Sequence, residues 1–172
     1  MKNFEFEHEG QKLWYSRSVV VSLYLYTRDE KGALRILANK RGHLNEVSPD
    51  YWNVPGGYLD FDENDLECAE RECFEETGVK VNLTDVMKPN YVMSSLYELD
   101  TKPHGRQTMV AVYTALVSFE YVKNQKLTSE HSEEGEVEEV RWINAKDVTL
   151  YKWSYMQLKK ICQILKYYER LR

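Results

Sequence analysis

The chain has 172 residues, of which 42% are hydrophobic and 30% charged, and its net charge is −5. This length and composition indicate one globular domain, residues 1–172, and exclude collagen-like, disordered and disulfide-scaffold proteins. The three cysteines form no CxxC pair, so the spacing of a zinc site is absent. The negative net charge argues against nucleic-acid binding through a basic face, and we predict no nucleic-acid partner.

The apolar stretches are too short to cross a membrane. The longest, residues 19–26, has eight residues and contains Ser22, whereas a spanning helix needs about 20. The N-terminal segment carries Glu5 and Glu7 where a secretory signal peptide has an apolar run. We therefore expect a cytoplasmic protein with no membrane partner.

An N-terminal β-hairpin is the first predicted element, within residues 1–16. Apolar and polar side chains alternate there on both sides of a Glu-Gly turn. Its large apolar side chains are Phe4, Phe6, Leu13 and Trp14. This is more apolar surface than a lone hairpin needs, so we predict that the hairpin pairs with a second subunit in a homodimer.

Several strands are expected after the hairpin, because β-branched and aromatic residues cluster between turn residues. They are placed at residues 19–26, 33–39, 79–83, 91–99, 109–119 and 137–143. With the helices below, this pattern predicts an α+β protein, in which a mixed β-sheet lies between helices as an α/β/α sandwich.

Two major helices are predicted. The first runs from about Leu66 to Thr77, with Asn64 or Asp65 as its N-cap and Gly78 as its C-terminal stop. The second is the C-terminal helical segment, residues 145–172. Four of its residues share one helical face and should pack on the sheet: Leu158, Ile161, Leu165 and Tyr168.

Acidic residues are concentrated in the first helix and the loop before it. Nine acids stand against one base, Arg71, between positions 60 and 76. At 100° per residue, Glu72, Glu75 and Glu76 share an arc of about 100° that adjoins the apolar stripe of the helix. Like charges at this spacing repel, and partial burial raises the cost, so a purely solubilising role is disfavoured. Clustered oxygen ligands suit Mg²⁺ or Mn²⁺.

A spaced motif covers residues 57–79: Gly57 is followed after five residues by Glu63, and after seven more by Arg71-Glu72-Cys73-Phe74-Glu75-Glu76-Thr77-Gly78-Val79. This motif resembles the signature of the Nudix hydrolases. Cys73 departs from the family, which usually has an aliphatic residue there, and this change concerns packing more than chemistry. The resemblance implies a Nudix fold, a mixed sheet flanked by helices, with a loop–helix–loop active site.

The resemblance also implies roles for the matching residues. The implied metal ligands are Glu72, Glu75, Glu76 and the backbone carbonyl of Gly56. Arg71 completes the implied catalytic set and would form an ion pair with Glu63 that orients the carboxylates. The implied structural supports of the site are Gly57, Glu63 and Gly78. A simple surface pair of Arg71 with Glu67 or Glu75 is the alternative.

The implied reaction is attack of metal-activated water on the diphosphate of a nucleoside diphosphate linked to another moiety, such as a sugar nucleotide or ADP-ribose. The partner is therefore a small nucleotide derivative. Two alternatives use the same fold. One is a ligand sensor that binds a nucleotide sugar without turnover, which the intact set of glutamates disfavours. The other is an isomerase, which would need a further catalytic cysteine, and Cys162 is a poor candidate.

The general base and the substrate contacts stay open at this level. The base is either a glutamate of residues 57–79 or one on a later loop. The loop candidates are Glu130, Glu133, Glu134 and Glu136. The candidates for substrate binding are Arg41 in the loop before the signature, Tyr58 directly after the glycines, and Arg106 and Gln107 at the start of a later strand.

Overall fold

The computed structural model describes residues 4–15, 19–45, 47–86, 96–100, 106–154 and 157–170. Its strands are β1 (Phe4–His8), β2 (Gln11–Tyr15), β3 (Val19–Arg28), β4 (Leu34–Arg41), β5 (Trp52–Asn53), β6 (Gly56–Tyr58), β7 (Leu96–Asp100), β8 (Arg106–Val117) and β9 (Val137–Asn144). Its α-helices are α1 (Asp65–Thr77), α2 (Leu83–Val86), α3 (Phe119–Val122) and α4 (Gln157–Arg170).

The main sheet is mixed, as predicted. Its strand order is β5-β4-β3-β8-β7, with β6 paired to β3 and β9 paired to β4. Strand β3 runs parallel to β8 and antiparallel to β4 and β6. Strand β6 also contacts α1, because Gly57 lies against Glu72 and the Gly56 N–H donates to Glu76. The strand that carries the glycines and the acidic helix therefore belong to one region of the molecule.

Helices cover both faces of this sheet, which confirms the α+β sandwich. Side chains alternate between the two faces of β3. Leu23 packs in a core with Cys73 of α1, and Tyr24 packs in a second core with Ile161 of α4. Cys73 is fully buried, so it takes the packing role of an aliphatic residue.

Helix α1 follows the predicted bounds closely. The side chain of Asn64 accepts hydrogen bonds from the backbone N–H groups of Leu66 and Glu67, and the Glu67 carboxylate accepts from the Asn64 N–H. Gly78 ends the helix at φ 73°, a conformation that favours glycine. Local sequence signals therefore determine both ends of the helix.

Helix α4 begins later than predicted. Residues 145–154 form instead a 3₁₀ turn at Val148–Leu150 and an extended stretch that pairs Trp153 with Trp52. The buried Trp153 indole donates to the Val148 carbonyl, so tertiary packing holds this segment out of a helix. The predicted face of α4 is present: Ile161, Leu165 and Tyr168 are buried, and Leu158 is partly buried in the same core.

The strand predicted at residues 79–83 is wrong. Val79, Val81 and Leu83 are buried in the core under α1, but the segment pairs with no strand, and Leu83 begins α2. The Lys80 backbone is satisfied by a side chain, because its N–H donates to Gln125 and its carbonyl accepts from the Gln125 amide. Of the strand expected at 91–99, residues 91–95 lie outside the described residues.

The N-terminal hairpin is confirmed as a separate two-stranded sheet. Phe6 pairs directly with Leu13, and these residues are 41% and 37% exposed. Pairing of the hairpin with a second subunit stays a prediction. Within the described residues, no helix combines the length and the apolar character that a membrane span requires.

Candidate functional site

Strand β6 and helix α1 meet at Gly57 and Glu72. A Cβ atom on Gly57 would lie 2.2 Å from Oε1 of Glu72 and 2.7 Å from its Oε2. The Glu72 carboxylate therefore occupies the space that a side chain at position 57 would fill. Glu72 is buried. Burial raises its pKa to about 7, although Arg71 lowers it; the charges of Glu136 and Glu75 raise it further.

Glu76 lies one helical turn further along, in contact with β4 and β6. Its Oε2 accepts from the backbone N–H of Gly56 at 2.9 Å and from Nδ2 of Asn39 at 2.8 Å. The side chain is 3% exposed. Burial, followed by the charges of Glu72 and Glu136, raises the pKa of Glu76 well above its ordinary value. The site therefore concentrates negative charge that a cation would compensate.

Arg71 connects the carboxylates of the site. Its Nε and Nη2 donate to both oxygens of Glu63, at 2.9 and 2.8 Å. Its Nη1 donates to Glu72 at 2.7 Å and to Glu75 at 2.9 Å. Burial, the largest single effect, would raise the pKa of Glu63, but the hydrogen bonds from Arg71 and the Asp60 backbone and the charge of Arg71 together lower it. The predicted ion pair with Glu63 is thus present, and Glu67 caps α1 instead.

The donor chemistry of the site fits a hard divalent cation, because its side-chain ligands are carboxylate oxygens. Across the described residues, no three His, Cys, Asp or Glu side chains already converge on one ion position. The reason is that Glu72 and Glu75 are turned to Arg71, and Glu76 is engaged by Gly56 and Asn39. Metal binding would draw carboxylate oxygens away from these partners.

Glu136 is placed against the acidic helix, and the other three loop glutamates are exposed. The charge of Glu136 raises the pKa of both Glu72 and Glu76. Burial is also the main cause that raises the pKa of Glu136 itself. Glu130, by contrast, forms an exposed ion pair with Lys126 at 2.9 Å. The structure thus brings one of the four candidates to the site.

Two of the four candidates for substrate binding have described side chains. Arg41 ends β4 beside the site, where its charge lowers the pKa of Glu136 and of Glu76. Tyr58 ends β6, and its carbonyl accepts from Arg71 at 3.2 Å. Arg106 and Gln107 begin β8, but their side chains lie outside the described residues.

Two asparagines of the site were missed. Asn39 contacts Glu76, and Asn45 contacts Arg41 and the backbone of Glu136. Asn39 is the last residue of the strand predicted at 33–39, where asparagine is ordinary, and only the longer observed strand, Leu34–Arg41, places it in a strand interior. Asn45 lies in a polar loop. The sequence therefore offers no signal for either residue.

Gly57→Ala tests whether the close approach of β6 to Glu72 supports the site. The added methyl group overlaps the carboxylate, so Glu72 must rotate away from its position. The clashing atoms are the carboxylate of Glu72, at the far end of a flexible side chain, so we expect the fold to survive. Metal-dependent activity should fall by about a hundredfold. Gly32→Ala is the comparison variant for a glycine with open space around its Cβ position; because Gly32 lies at φ +75°, this variant should lose some stability but no activity. Equal activity of wild type and Gly57→Ala would contradict this role.

Comparison with known proteins gives one family. The model of the NUDIX domain matches residues 16–162. A 117-residue stretch is 31% identical to the ADPR responsive transcriptional repressor NtrR of Acinetobacter baylyi, and it covers 67% of this chain and 43% of the repressor. The chain therefore spans less than half the length of the curated relatives it matches.

Two solved structures show the same fold. The NUDIX domain of Shewanella oneidensis NrtR, complexed with ADP ribose, has a TM-score of 0.64 at 24% identity, covering 90% of this chain and 88% of that domain. A bifunctional NMN adenylyltransferase/ADP ribose pyrophosphatase from Francisella tularensis, complexed with AMP and a Mn ion, has a TM-score of 0.65 at 20% identity, covering 86% and 41%. The fold predicted from the signature is confirmed, and the chain belongs to the NUDIX domain family.

Proposed function

We propose that this protein is a Mg²⁺- or Mn²⁺-dependent pyrophosphohydrolase. Its substrate is a nucleoside diphosphate linked to another moiety, of the sugar-nucleotide or ADP-ribose type. The observation that carries this proposal is the buried carboxylate pair Glu72 and Glu76. Arg71 holds Glu72 beside Glu75, and Gly56 and Asn39 hold Glu76. Burying uncompensated acids is costly, which is expected where a cation completes the site. The substrate class is supported by two similar structures, a NUDIX domain complexed with ADP ribose and an ADP ribose pyrophosphatase complexed with AMP.

Each residue of the site then has one proposed role. Glu72, Glu75 and Glu76, with the Gly56 carbonyl, hold the divalent ion, which when bound polarises the diphosphate and activates water. Arg71, held by Glu63, orients the carboxylates.

Glu136 is the proposed general base, which accepts the proton of the attacking water. Its raised pKa brings its basicity closer to neutral pH, where a general base is most effective. Arg41 contributes the positive charge that faces the substrate diphosphate, because Asn45 links its guanidinium to the backbone of Glu136. Tyr58, Arg106 and Gln107 stay predicted substrate contacts.

A ligand sensor is the second candidate function. It is favoured by the similarity to an ADPR responsive repressor and to a NUDIX domain that binds ADP ribose. Such a domain would bind the nucleotide and leave it intact. A regulator of this kind would act with DNA, so the absence of a nucleic-acid partner stays a prediction made from net charge.

Product analysis separates the two functions. ADP-ribose and a panel of sugar nucleotides are incubated with the protein and Mg²⁺ or Mn²⁺, and nucleotides are quantified by chromatography. We expect release of AMP or the corresponding nucleoside monophosphate, dependent on the metal and lost in excess chelator. Calorimetry measures binding in parallel. Tight binding of ADP-ribose, recovered unchanged after prolonged incubation with metal, would overturn the hydrolase and support the sensor.

A further inference from the structure

Two turns meet beside the proposed site. The first turn, residues 42–45, follows β4, and the second turn, residues 133–136, precedes β9. The Gly42 N–H donates to the Glu136 carbonyl at 2.9 Å. A Cβ on Gly42 would lie 2.0 Å from the Gly135 carbonyl oxygen, so the two backbones are in direct contact. The position of Glu136 is therefore set by the first turn.

The side-chain amide of Asn45 joins the two turns to Arg41. Its Nδ2 donates to the carbonyl oxygens of Glu136 at 2.9 Å and Gly42 at 3.0 Å. The carbonyl oxygen of Gly135 lies 3.3 Å from the same nitrogen. Its Oδ1 accepts from Nη2 of Arg41 at 2.8 Å. One neutral amide thus uses its donor side for the second turn and its acceptor side for the guanidinium.

Arg41 and Glu136 are the two groups that this amide holds. Arg41 is fixed further by a hydrogen bond from Nε to the Val47 carbonyl at 3.0 Å. Glu136 is fixed within its own turn, where its N–H donates to the Glu133 carbonyl and its carboxylate accepts from the Glu133 N–H. Asn45 links these two arrangements, and in this way sets the position of Arg41 relative to Glu136.

We propose that Asn45 is a positioning residue that sets Arg41 for the substrate diphosphate and Glu136 for proton transfer. This inference rests on the proposed function, since it gives Asn45 a task in the same site. Its chemistry is specific, because both roles need a group that donates and accepts. Aspartate at this position accepts only, and alanine does neither.

Two substitutions separate the positioning of Arg41 from the positioning of Glu136. Asn45→Asp keeps an acceptor for Arg41 and removes the donor to Glu136. We expect a KM within about twofold of wild type and a kcat lower by about tenfold or more. Asn45→Ala removes both links, so KM should rise by about fivefold or more while kcat also falls. Steady-state kinetics with ADP-ribose and Mg²⁺ measure the split.

Asn144→Ala is the matched control. Asn144 pairs with Arg35, at the opposite end of the β4–β9 ladder from Arg41. Its Oδ1 accepts from the backbone N–H of Lys146 in an exposed turn, so Asn144, like Asn45, hydrogen-bonds the backbone of a turn. Its kinetics should equal those of wild type. Thermal melts of all variants show whether each is folded. The inference is overturned if folded Asn45→Ala behaves as Asn144→Ala does, or if Asn45→Asp and Asn45→Ala show the same KM.

A double-mutant cycle tests the link to Arg41. If Asn45 acts on KM through the guanidinium, adding Asn45→Ala to Arg41→Ala should leave KM unchanged. A further rise as large as in the wild-type background would overturn the link. If wild type releases no product, the proposed function fails. Calorimetry with ADP-ribose then decides on Asn45: weaker binding by Asn45→Ala than by Asn45→Asp supports the positioning of Arg41, and equal binding overturns it.

Discussion

Glu76→Gln is expected to lower metal-dependent activity by about a hundredfold or more. In the absence of metal, the variant should be as stable as wild type or slightly more stable. Glu76 is buried, and burial raises its pKa, so its negative charge costs stability in the absence of metal. The amide oxygen of the introduced glutamine can still accept from Gly56 and Asn39, the two donors that now contact one oxygen of Glu76. The substitution therefore removes a charge and keeps the packing.

Four melting curves test this prediction: wild type and Glu76→Gln, each with chelator and with Mg²⁺. A ligand at 100 times its dissociation constant stabilises a protein by about 2.7 kcal/mol, and the variant should lose most of that gain. Glu120→Gln, an exposed acid paired with Lys123, is the control for charge alone and should behave as wild type does. A variant that is markedly less stable than wild type in chelator would show that Glu76 is mainly structural.

The pH dependence in chelator gives an independent check. A carboxyl group with a raised pKa in the folded state stabilises the protein fully below its unfolded pKa, and this contribution is lost as pH rises through the folded value. Glu76 has a raised pKa, so wild type should lose stability relative to Glu76→Gln as pH rises from about 5 to 8. An unchanged difference in Tm across this range would contradict the burial of an uncompensated charge at Glu76.

Arg71→Lys is expected to lower both activity and stability. Lysine keeps the positive charge but cannot reproduce the fork that contacts both oxygens of Glu63 and also Glu72 and Glu75. Loss of hydrogen bonds to charged, partly buried groups should cost about 1–3 kcal/mol, which lowers Tm by several degrees in a chain of this length. Activity should fall by about a hundredfold, because the carboxylates lose their orientation.

Arg141→Lys is the matched control, since Arg141 forms an exposed ion pair with Glu139 and should tolerate the change. Coupling with Glu63 gives a second check. In the Arg71→Lys background, Glu63→Gln should cost clearly less than in wild type, because the two side chains form one unit. If Arg71→Lys matches Arg141→Lys in both Tm and activity, the proposed orienting role of Arg71 is wrong.

Local signals explain why much of the fold could be predicted. Asn64 or Asp65 as N-cap and Gly78 as stop predict the bounds of α1 within one residue, because caps act on the chain next to them. The apolar composition of residues 19–26 predicts the first core strand, β3. Residues 79–83 show the limit of such signals. Their alternating apolar side chains are buried under α1, but these residues form no strand with the part of the chain that the structure describes, and the Gln125 side chain binds the Lys80 backbone instead.

The family, the sandwich and the acidic arc of α1 can be predicted from the sequence, because a spaced signature and helix caps depend on residues close together in the chain. The tertiary structure is needed to show which of the four loop glutamates reaches that arc, and that Asn39 and Asn45 belong to the site. These relations join residues 37 and 91 positions apart. The contact of Asn39 with Glu76 depends on how α1 packs against β4. The contact of Asn45 with Glu136 depends on the direct contact between the turn after β4 and the turn before β9, and no local pattern encodes either contact.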